Sequence, residues 1–292
     1  MDTPDASTAA RPEPNPTPEF SPPPAPDQMR RGHIAPLAAD LSAPALAIRG
    51  LRKSFDRREV VHGIDLDIPR GSFFGMVGPN GAGKTTTLSM ATGLLRPDAG
   101  TAVVLGHDVW QDPPAAKQAM GVLADGLRAF DRLTARELLT YVGLIRGLDP
   151  NVLSERIQSL LDTMDLAGED GKLVVDFSAG MTKKVLLACA LIHAPKFLVL
   201  DEPFEAVDPV SGQVIREILN SFVAAGGTVI LSSHVMELVE GLCSHVAIVS
   251  NGSVLASGTL DEVREQDSLV DTFISLVGGK RVQEGQLSWL VS

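Results

Sequence analysis

Glycine, lysine and threonine are closely spaced in the stretch FGMVGPNGAGKTTTLSM, between an apolar segment and a helix-like one. Its part GPNGAGKT fits the pattern G-x-x-x-x-G-K-[ST], in which glycines turn successive backbone N–H groups towards a phosphate oxygen. A helix that begins near Lys84 adds the positive end of its dipole. In this pattern the lysine reaches the β and γ phosphates, and the Thr85 hydroxyl is placed on Mg²⁺. We therefore predict a nucleotide site.

Two adjacent carboxylates end the apolar segment FLVLDE, residues 197–202. In nucleotide sites of this kind an aspartate at a strand end holds Mg²⁺, which suits Asp201. Glu202 is predicted to point to the other side of the strand, where a carboxylate can accept a proton from an attacking water. Acidic residues are also common at solvated strand ends, but the upstream phosphate loop favours the catalytic interpretation.

His234 follows the strand-like segment TVILSS, at a third strand end that would meet the same crevice. A histidine there can hydrogen-bond a γ phosphate. Taken alone, an isolated histidine is more often a helix cap or a satisfied core residue. Its own signal is therefore weaker than that of the phosphate loop.

The composition limits the partners and the compartment. The net charge of −11 over 292 residues argues against a general affinity for nucleic acid. Cys189 and Cys243 lack metal-ligand spacing and are predicted to be buried thiols in a reducing cytosol. No apolar run reaches the ~18 residues that span a bilayer. We expect any membrane role to come through a partner.

Strand-like and helix-like segments alternate after residue 44, which predicts an α/β fold with a parallel sheet covered on both faces. The early strands and a late hairpin with the turn Asn251-Gly252 predict a smaller antiparallel sheet beside it. Residues ~122–180 are predicted to be an inserted helical lobe. Residues 1–44 hold eleven of the twenty prolines and are predicted to form a disordered tail, with a docking arm as the alternative.

The motifs GPNGAGKT, FSAGM, FLVLDEP, AVD and SSH occur in an order and spacing that resemble the nucleotide-binding subunit of an ATP-binding cassette (ABC) transporter. The resemblance covers residues 45–278. It implies the ABC ATPase form of the P-loop NTPase fold, with a RecA-like core, an antiparallel β subdomain and a helical subdomain at about 122–180. Residues 279–292 would be a C-terminal tail, and the ligands would be ATP and Mg²⁺.

The resemblance also implies roles for the matching positions. Phe55 stands where such proteins stack an aromatic ring on adenine. Ser178 and Gly180 match the family signature, which contacts the γ phosphate of ATP held by a second subunit. His234 matches the switch histidine, and Asp208 the loop that links two active sites. The implied nucleotide-binding residues of the P-loop are Gly78, Pro79, Asn80, Gly81, Ala82, Gly83, Lys84, Thr85 and Thr86.

In that family ATP binding closes a head-to-tail dimer, hydrolysis opens it, and membrane-spanning partners convert the cycle into transport. The resemblance implies a homodimer, or a heterodimer with a related cassette, on separate transmembrane permease subunits at the cytoplasmic side of the cell membrane. Glu202 would be the catalytic base, with Lys84 and His234 at the γ phosphate. The ending SLVDTFISLVGG is similar to that of bacterial exporter subunits.

Several positions depart from the family pattern. Asp125 stands where glutamine is usual; a carboxylate can still hold Mg²⁺ but cannot donate an amide hydrogen bond. Ala179 and Met181 replace a glycine and a glutamine of the signature, and Phe204 stands where threonine is common. These changes predict altered coupling and altered signature contacts rather than loss of the site.

Two other functions fit fewer of these features. One is a soluble ABC-type ATPase that acts on ribosomes or DNA without a permease. Such relatives usually carry two cassettes or a long coiled coil, and the sequence shows neither. The other is an interaction protein that binds ATP without hydrolysing it, which the Pro-rich tail and Asp125 would favour.

Overall fold

The computed structural model describes residues 43–126, 130, 132–264 and 266–278. The predicted tail at 1–44, apart from its last two residues, and the tail at 279–292 lie outside these ranges. The strands are β1 (Leu46–Phe55), β2 (Arg58–Ile68), β3 (Phe73–Val77), β4 (Ala99–Val104), β5 (His107–Asp108), β6 (Met120–Leu123), β7 (Phe197–Asp201), β8 (Thr228–Ser233), β9 (His245–Ser250) and β10 (Ser253–Thr259). The helices are α1 (Lys84–Ala91), α2 (Pro113–Ala119), α3 (Ala135–Ile145), α4 (Pro150–Thr163), α5 (Ala179–Leu191), α6 (Pro209–Ala224), α7 (Met236–Glu240), α8 (Leu260–Arg264) and α9 (Leu269–Val277).

A large, mostly parallel sheet forms the centre of the described part of the chain, with the strand order β10-β9-β3-β8-β7-β6. Every residue of β3, β7 and β8 is buried. Along β7, Leu198 and Leu200 belong to one apolar cluster, whereas Phe197 and Val199 belong to another. Since successive side chains point to opposite faces, the sheet is covered on both faces, as the apolar runs predict. This confirms the predicted α/β class.

A second, antiparallel sheet has the order β2-β1-β4-β5 among the described residues. Its long strands β1 and β2 pair from Leu46 opposite Ile68 to Phe55 opposite Arg58. Their inner residues, including Ile48 and Val61, join the cluster that also contains α1. The small sheet therefore packs on the same face of the large sheet as the helix that follows the phosphate loop.

The predicted place of the late hairpin is wrong. β9 pairs in parallel with β3 in the large sheet, and β10 extends that sheet as an antiparallel edge strand. The physical reason is burial, because β9 is buried over Val246–Ser250 and fits a sheet covered on both faces. The turn itself is as predicted: Asn251 and Gly252 both have positive φ, 45° and 73°.

The region predicted to be helical from about residue 122 begins with a strand. β6 pairs in parallel with β7, Met120 opposite Phe197, and α2 precedes it. Four apolar residues are too few to show a period of two or of 3.6, so the sequence did not identify this strand. The helices α3 and α4 follow, and Thr134 opens α3 with a reciprocal capping box to Glu137.

The cysteines are unbonded, with Cys243 buried and Cys189 half-buried. Burial raises the pKa of each thiol to about 12, so both are protonated and unreactive at neutral pH. Within the described ranges, none of the helices combines the length and the apolar character that crossing a bilayer requires.

Candidate functional site

The phosphate loop joins the buried strand β3 to α1. Gly81 and Gly83 have φ values of 79° and 101°, a conformation that L side chains rarely adopt. At Gly78 an added Cβ would lie 2.0 Å from the Val249 carbonyl oxygen. The loop therefore needs glycine for its backbone turns and for its approach to β9. Its N–H groups and the start of α1 form the concave backbone that suits an anion.

A pocket of about 300 Å³ lies over this loop and receives side chains from the ends of several strands. Because β3, β8 and β7 are neighbours in the sheet, their carboxyl ends meet at one edge. The lining residues are Val60, Asn80, Gly81, Ala82, Gly83, Lys84, Thr85, Thr86, Asp125, Glu202, Glu205 and His234.

Lys84 is buried, and its ammonium group is engaged with its own loop. Nζ donates to the Gly78 carbonyl oxygen at 2.8 Å and to the Pro79 carbonyl oxygen at 3.4 Å. Nζ also lies 3.6 Å from Glu202 Oε1. Gly78 and Pro79 thus hold the lysine through their carbonyl oxygens, although neither residue lines the pocket.

Glu202 lies just outside β7, with its carboxylate in the pocket. Its φ of 46° is left-handed, so it leaves the strand direction after Asp201. Its orientation therefore comes from this backbone conformation and not from strand alternation, which corrects the sequence-based reason. Glu202 Oε2 accepts a hydrogen bond from His234 Nδ1 at 3.1 Å. The carboxylate is thereby shared between a lysine and a histidine.

His234 is neither a helix cap nor a core residue. α7 begins two residues later with Val235 as its N-cap, and the His234 side chain is 39% exposed. His234 lines the pocket together with residues of the phosphate loop. Its contact with a γ phosphate stays a prediction.

The predicted metal ligands do not all lie in one place. Thr85 and Asp125 line the pocket. Asp201 is buried and does not line it; its Oδ1 accepts a hydrogen bond from Ser232 Oγ on β8 at 2.5 Å. Among the described residues no group of three or more acidic, cysteine or histidine side chains could hold a metal ion by itself.

The signature residues and Phe55 lie outside the pocket. Ser178 caps α5 by accepting a hydrogen bond from the Met181 N–H at 3.2 Å. Gly180 packs against Asp208, which caps α6 through the N–H groups of Val210 and Ser211. The backbone N–H of Ser211 lowers the pKa of the Asp208 carboxyl below its ordinary value. The first turn of α5, through Gly180, and the Asp208 cap of α6 are therefore packed against one another.

Phe55 ends β1 with a ring that is 45% exposed. The Lys53 ammonium lies 5.7 Å from its centroid, within the range of a cation–π contact. The ring is thus available on the surface of the antiparallel sheet.

Sequence reasoning missed four residues of the site. Glu205 and Val60 line the pocket. Ser232 Oγ accepts a hydrogen bond from the Glu202 N–H at 3.0 Å, and Lys183 Nζ donates to the Glu202 carbonyl oxygen at 3.0 Å. Glu205 and Ser232 had a signal, since each lies within three residues of a predicted site residue. Lys183 likewise lies three residues after Gly180, but its contact with Glu202 joins two distant segments through the fold and could not be read from that position.

Two comparisons with known proteins decide the family. A family model described as ABC transporter matches residues 61–205. The daunorubicin/doxorubicin resistance ATP-binding protein DrrA of Streptomyces peucetius is 34% identical over 220 residues, which cover 75% of this chain and 67% of DrrA. The chain belongs to the ABC transporter family. The resemblance stated from its motifs is confirmed.

Other relatives of this ABC subunit agree. The ABC transporter ATP-binding protein NatA of Bacillus subtilis (strain 168) is 36% identical over 224 residues, covering 75% of this chain and 91% of NatA. A solved structure of the ATP binding subunit of an ABC transporter superposes with a TM-score of 0.74 at 28% identity, covering 80% of this chain and 99% of that one. The P-loop fold of an ABC ATPase is therefore the fold of this chain, and ATP is its substrate.

Proposed function

We propose that this ABC subunit hydrolyses ATP in the P-loop pocket and thereby powers export through a separate permease. The observation that carries the proposal is the Glu202 carboxylate, held in the pocket 3.6 Å from Lys84 Nζ and 3.1 Å from His234 Nδ1. DrrA and the linearmycin resistance protein LnrL are ATP-binding proteins named for drug resistance, and other relatives are named for Nod factor export. Those names support the outward direction.

The side chains account for the steps of hydrolysis. In this structure the Lys84 ammonium donates to carbonyl oxygens of the loop. When ATP binds, the γ phosphate becomes the acceptor of these hydrogen bonds. Lys84 then stabilises the charge that develops on the phosphate oxygens. Glu202 accepts the proton of the water as its oxygen attacks phosphorus and the bond to the β-phosphate oxygen breaks. The His234 Nδ1–H, which donates to the Glu202 carboxylate in this structure, turns to the γ phosphate when ATP binds and thereby frees Glu202 to act as the base.

The residues present fit Mg²⁺ bound together with nucleotide. This ion prefers few protein ligands and keeps waters and phosphate oxygens, which agrees with a pocket that offers scattered oxygen donors. We propose that the Thr85 hydroxyl and the Asp125 carboxylate contact it and that Asp201 holds it through water. When bound, Mg²⁺ neutralises charge on the β and γ phosphate oxygens.

We propose that two cassettes complete each ATP site, either two copies of this chain or one copy and a related cassette. Ser178 and Ala179 are exposed at the start of α5, and neither lines the P-loop pocket of its own chain. A capped helix start is a good contact for the γ phosphate of a neighbouring subunit. The exposed ring of Phe55 is proposed to stack on adenine.

An apolar patch formed by Phe130 and three residues of α3 supports a protein partner. Phe130 and Tyr141 meet edge to face at 5.0 Å between centroids, and Leu144 and Ile145 follow Tyr141 on the same helix face. All four are exposed, from 44% for Tyr141 to 67% for Ile145. Clustered exposed aromatic and aliphatic side chains mark interaction sites. We propose that the permease docks here, which holds the chain at the cytoplasmic side of the cell membrane.

Two measurements test the function. Phosphate release by the purified chain with ATP and Mg²⁺ tests hydrolysis. Recovery of a stoichiometric multi-spanning protein from detergent-solubilised membranes, with the Glu202→Gln variant and ATP, tests the permease. Leu144→Glu should abolish that recovery, whereas Val152→Glu, an exposed apolar residue on α4, should retain it. Recovery of ribosomes in place of a membrane protein would contradict the transporter.

A further inference from the structure

The Glu202 backbone is held from two sides by side chains of other elements. Its N–H donates to Ser232 Oγ on β8 at 3.0 Å. Its carbonyl oxygen accepts from Lys183 Nζ on α5 at 3.0 Å and from the Glu205 N–H at 3.2 Å. Both backbone groups of Glu202, the N–H and the carbonyl, are thus hydrogen-bonded.

Glu202 needs such support because its φ of 46° lies in the left-handed region, which L residues with long side chains rarely adopt. A residue in that conformation persists only where its surroundings fix it. The side chain that starts from this backbone carries the carboxylate between Lys84 and His234. A change in the backbone conformation would therefore move the carboxylate out of that position.

We propose that Lys183 is a positioning residue that holds Glu202 in its active conformation. Lys183 does not line the P-loop pocket, so within its own chain it acts through Glu202 and not on ATP. Its ammonium makes a charge-assisted hydrogen bond, stronger than one between neutral groups. The inference rests on the proposed role of Glu202 as the base.

Lys183 also links Glu202 to the helix α5 that carries the signature residues. The same helix is capped by Ser178, and Gly180 in its first turn packs against Asp208. The first two turns of α5 thus contact both ends of the loop from Glu202 to Asp208. A displacement of α5 would therefore reach Glu202 directly through Lys183.

The test is a comparison of Lys183→Met, Lys183→Arg and the control Lys172→Met in the full chain. Lys172 is a partly exposed lysine that pairs with Glu169 away from the pocket. We expect Lys183→Met to lower kcat about tenfold, as the loss of one charged hydrogen bond predicts, with KM and ATP affinity within about twofold of wild type. Lys183→Arg should recover most of the loss because guanidinium can donate to the same carbonyl.

A double-mutant cycle separates positioning from a general effect on structure. In the Glu202→Gln background, Lys183→Met should change the residual rate less than about twofold, since the group that it positions is already disabled. An equal tenfold loss in both backgrounds would overturn the inference. So would a Lys183→Met variant with the kcat of wild type, when wild type itself hydrolyses ATP. Should Lys183→Met not fold, Lys183→Leu, which also lacks a hydrogen-bond donor, is measured in its place with the same expectations. Absence of hydrolysis by wild type would instead overturn the proposed function.

Discussion

His234 Nδ1 lies 3.1 Å from Glu202 Oε2 at the edge of the P-loop pocket. Because an ionised carboxylate only accepts hydrogen bonds, Nδ1 carries the proton in this pair. The histidine is thereby held in one orientation, with its other ring nitrogen directed away from Glu202. The same carboxylate lies 3.6 Å from Lys84 Nζ. A γ phosphate that enters the pocket therefore competes with Glu202 for the Lys84 ammonium and for the His234 N–H.

The variant Glu202→Gln should bind ATP and lose most of its turnover. The amide keeps the size of the side chain but cannot accept a proton from water, which removes about 10²–10³-fold in kcat. Phosphate release and binding of a fluorescent ATP analogue measure the two properties. Glu155→Gln, an exposed glutamate on α4, is the control and should behave as wild type. Turnover of Glu202→Gln near the wild-type rate would remove Glu202 as the base.

Lys84→Ala should weaken ATP binding. The variant removes the charged donor that is proposed to reach the phosphates and also two hydrogen bonds that close the loop, to Gly78 and Pro79. A charged hydrogen bond contributes about 1.5–3 kcal/mol, so the Kd for ATP should rise about 10- to 100-fold. The fluorescent analogue measures it, with Lys172→Ala as the control. An unchanged Kd would show that the lysine does not contact nucleotide.

Much of this site follows from the sequence, because its residues stand at strand ends. β7 and β8 were predicted with the observed bounds from their apolar runs, FLVLD and TVILSS. Parallel neighbouring strands end at one edge, so Lys84, Glu202 and His234 had to be close. The roles assigned to them stay predictions.

The rest depends on interactions between distant segments. The left-handed backbone of Glu202 and the contact of Lys183 with it have no local sequence pattern. The place of β9 beside β3 was missed because the sequence of a hairpin with an Asn-Gly turn does not show which sheet the hairpin joins. The sequence also could not show that Asp201 is absent from the pocket lining. Its carboxylate accepts a hydrogen bond from Ser232, which lies on another strand.

Gly180→Ala should destabilise the protein although alanine favours helices. A Cβ at Gly180 would lie 2.6 Å from Asp208 Oδ2 and 2.7 Å from Ser211 Oγ, which displaces the cap of α6. Such overpacking costs about 1–3 kcal/mol, more than the ~0.5–1 kcal/mol that alanine gains over glycine. Chemical denaturation measures the difference.

Gly212→Ala is the matched control on α6. The nearest side-chain atoms to an added Cβ there lie 4.0 Å away, so nothing opposes the gain in helix propensity. It should stabilise the protein by about 0.5–1 kcal/mol. Equal stabilisation by both substitutions would show that α5 and α6 do not approach as closely as described.

His193 should make the protein less stable as the pH falls below neutrality. It is buried, and its Nε2 donates to the Met120 carbonyl oxygen at 3.0 Å, while Nδ1 has no hydrogen-bond partner among the described residues. Burial, together with the charge of Arg146, lowers the pKa of this histidine from 6.5 to about 4. The unfolded chain therefore binds a proton between these values that the folded chain does not, and the stability present above pH 6.5 is lost as the pH falls towards 4.

The size of this effect is measurable against a variant that does not titrate. His193→Gln keeps an amide donor for the Met120 carbonyl, and every other group titrates as in wild type. Between pH 7 and pH 5 the wild type should lose about 1–2 kcal/mol more free energy of unfolding than the variant. Urea denaturation at the two pH values gives the comparison. Equal losses in the two proteins would mean that His193 is protonated in the folded state at pH 5, which the position of its ring between Met120 and the nearby arginines opposes.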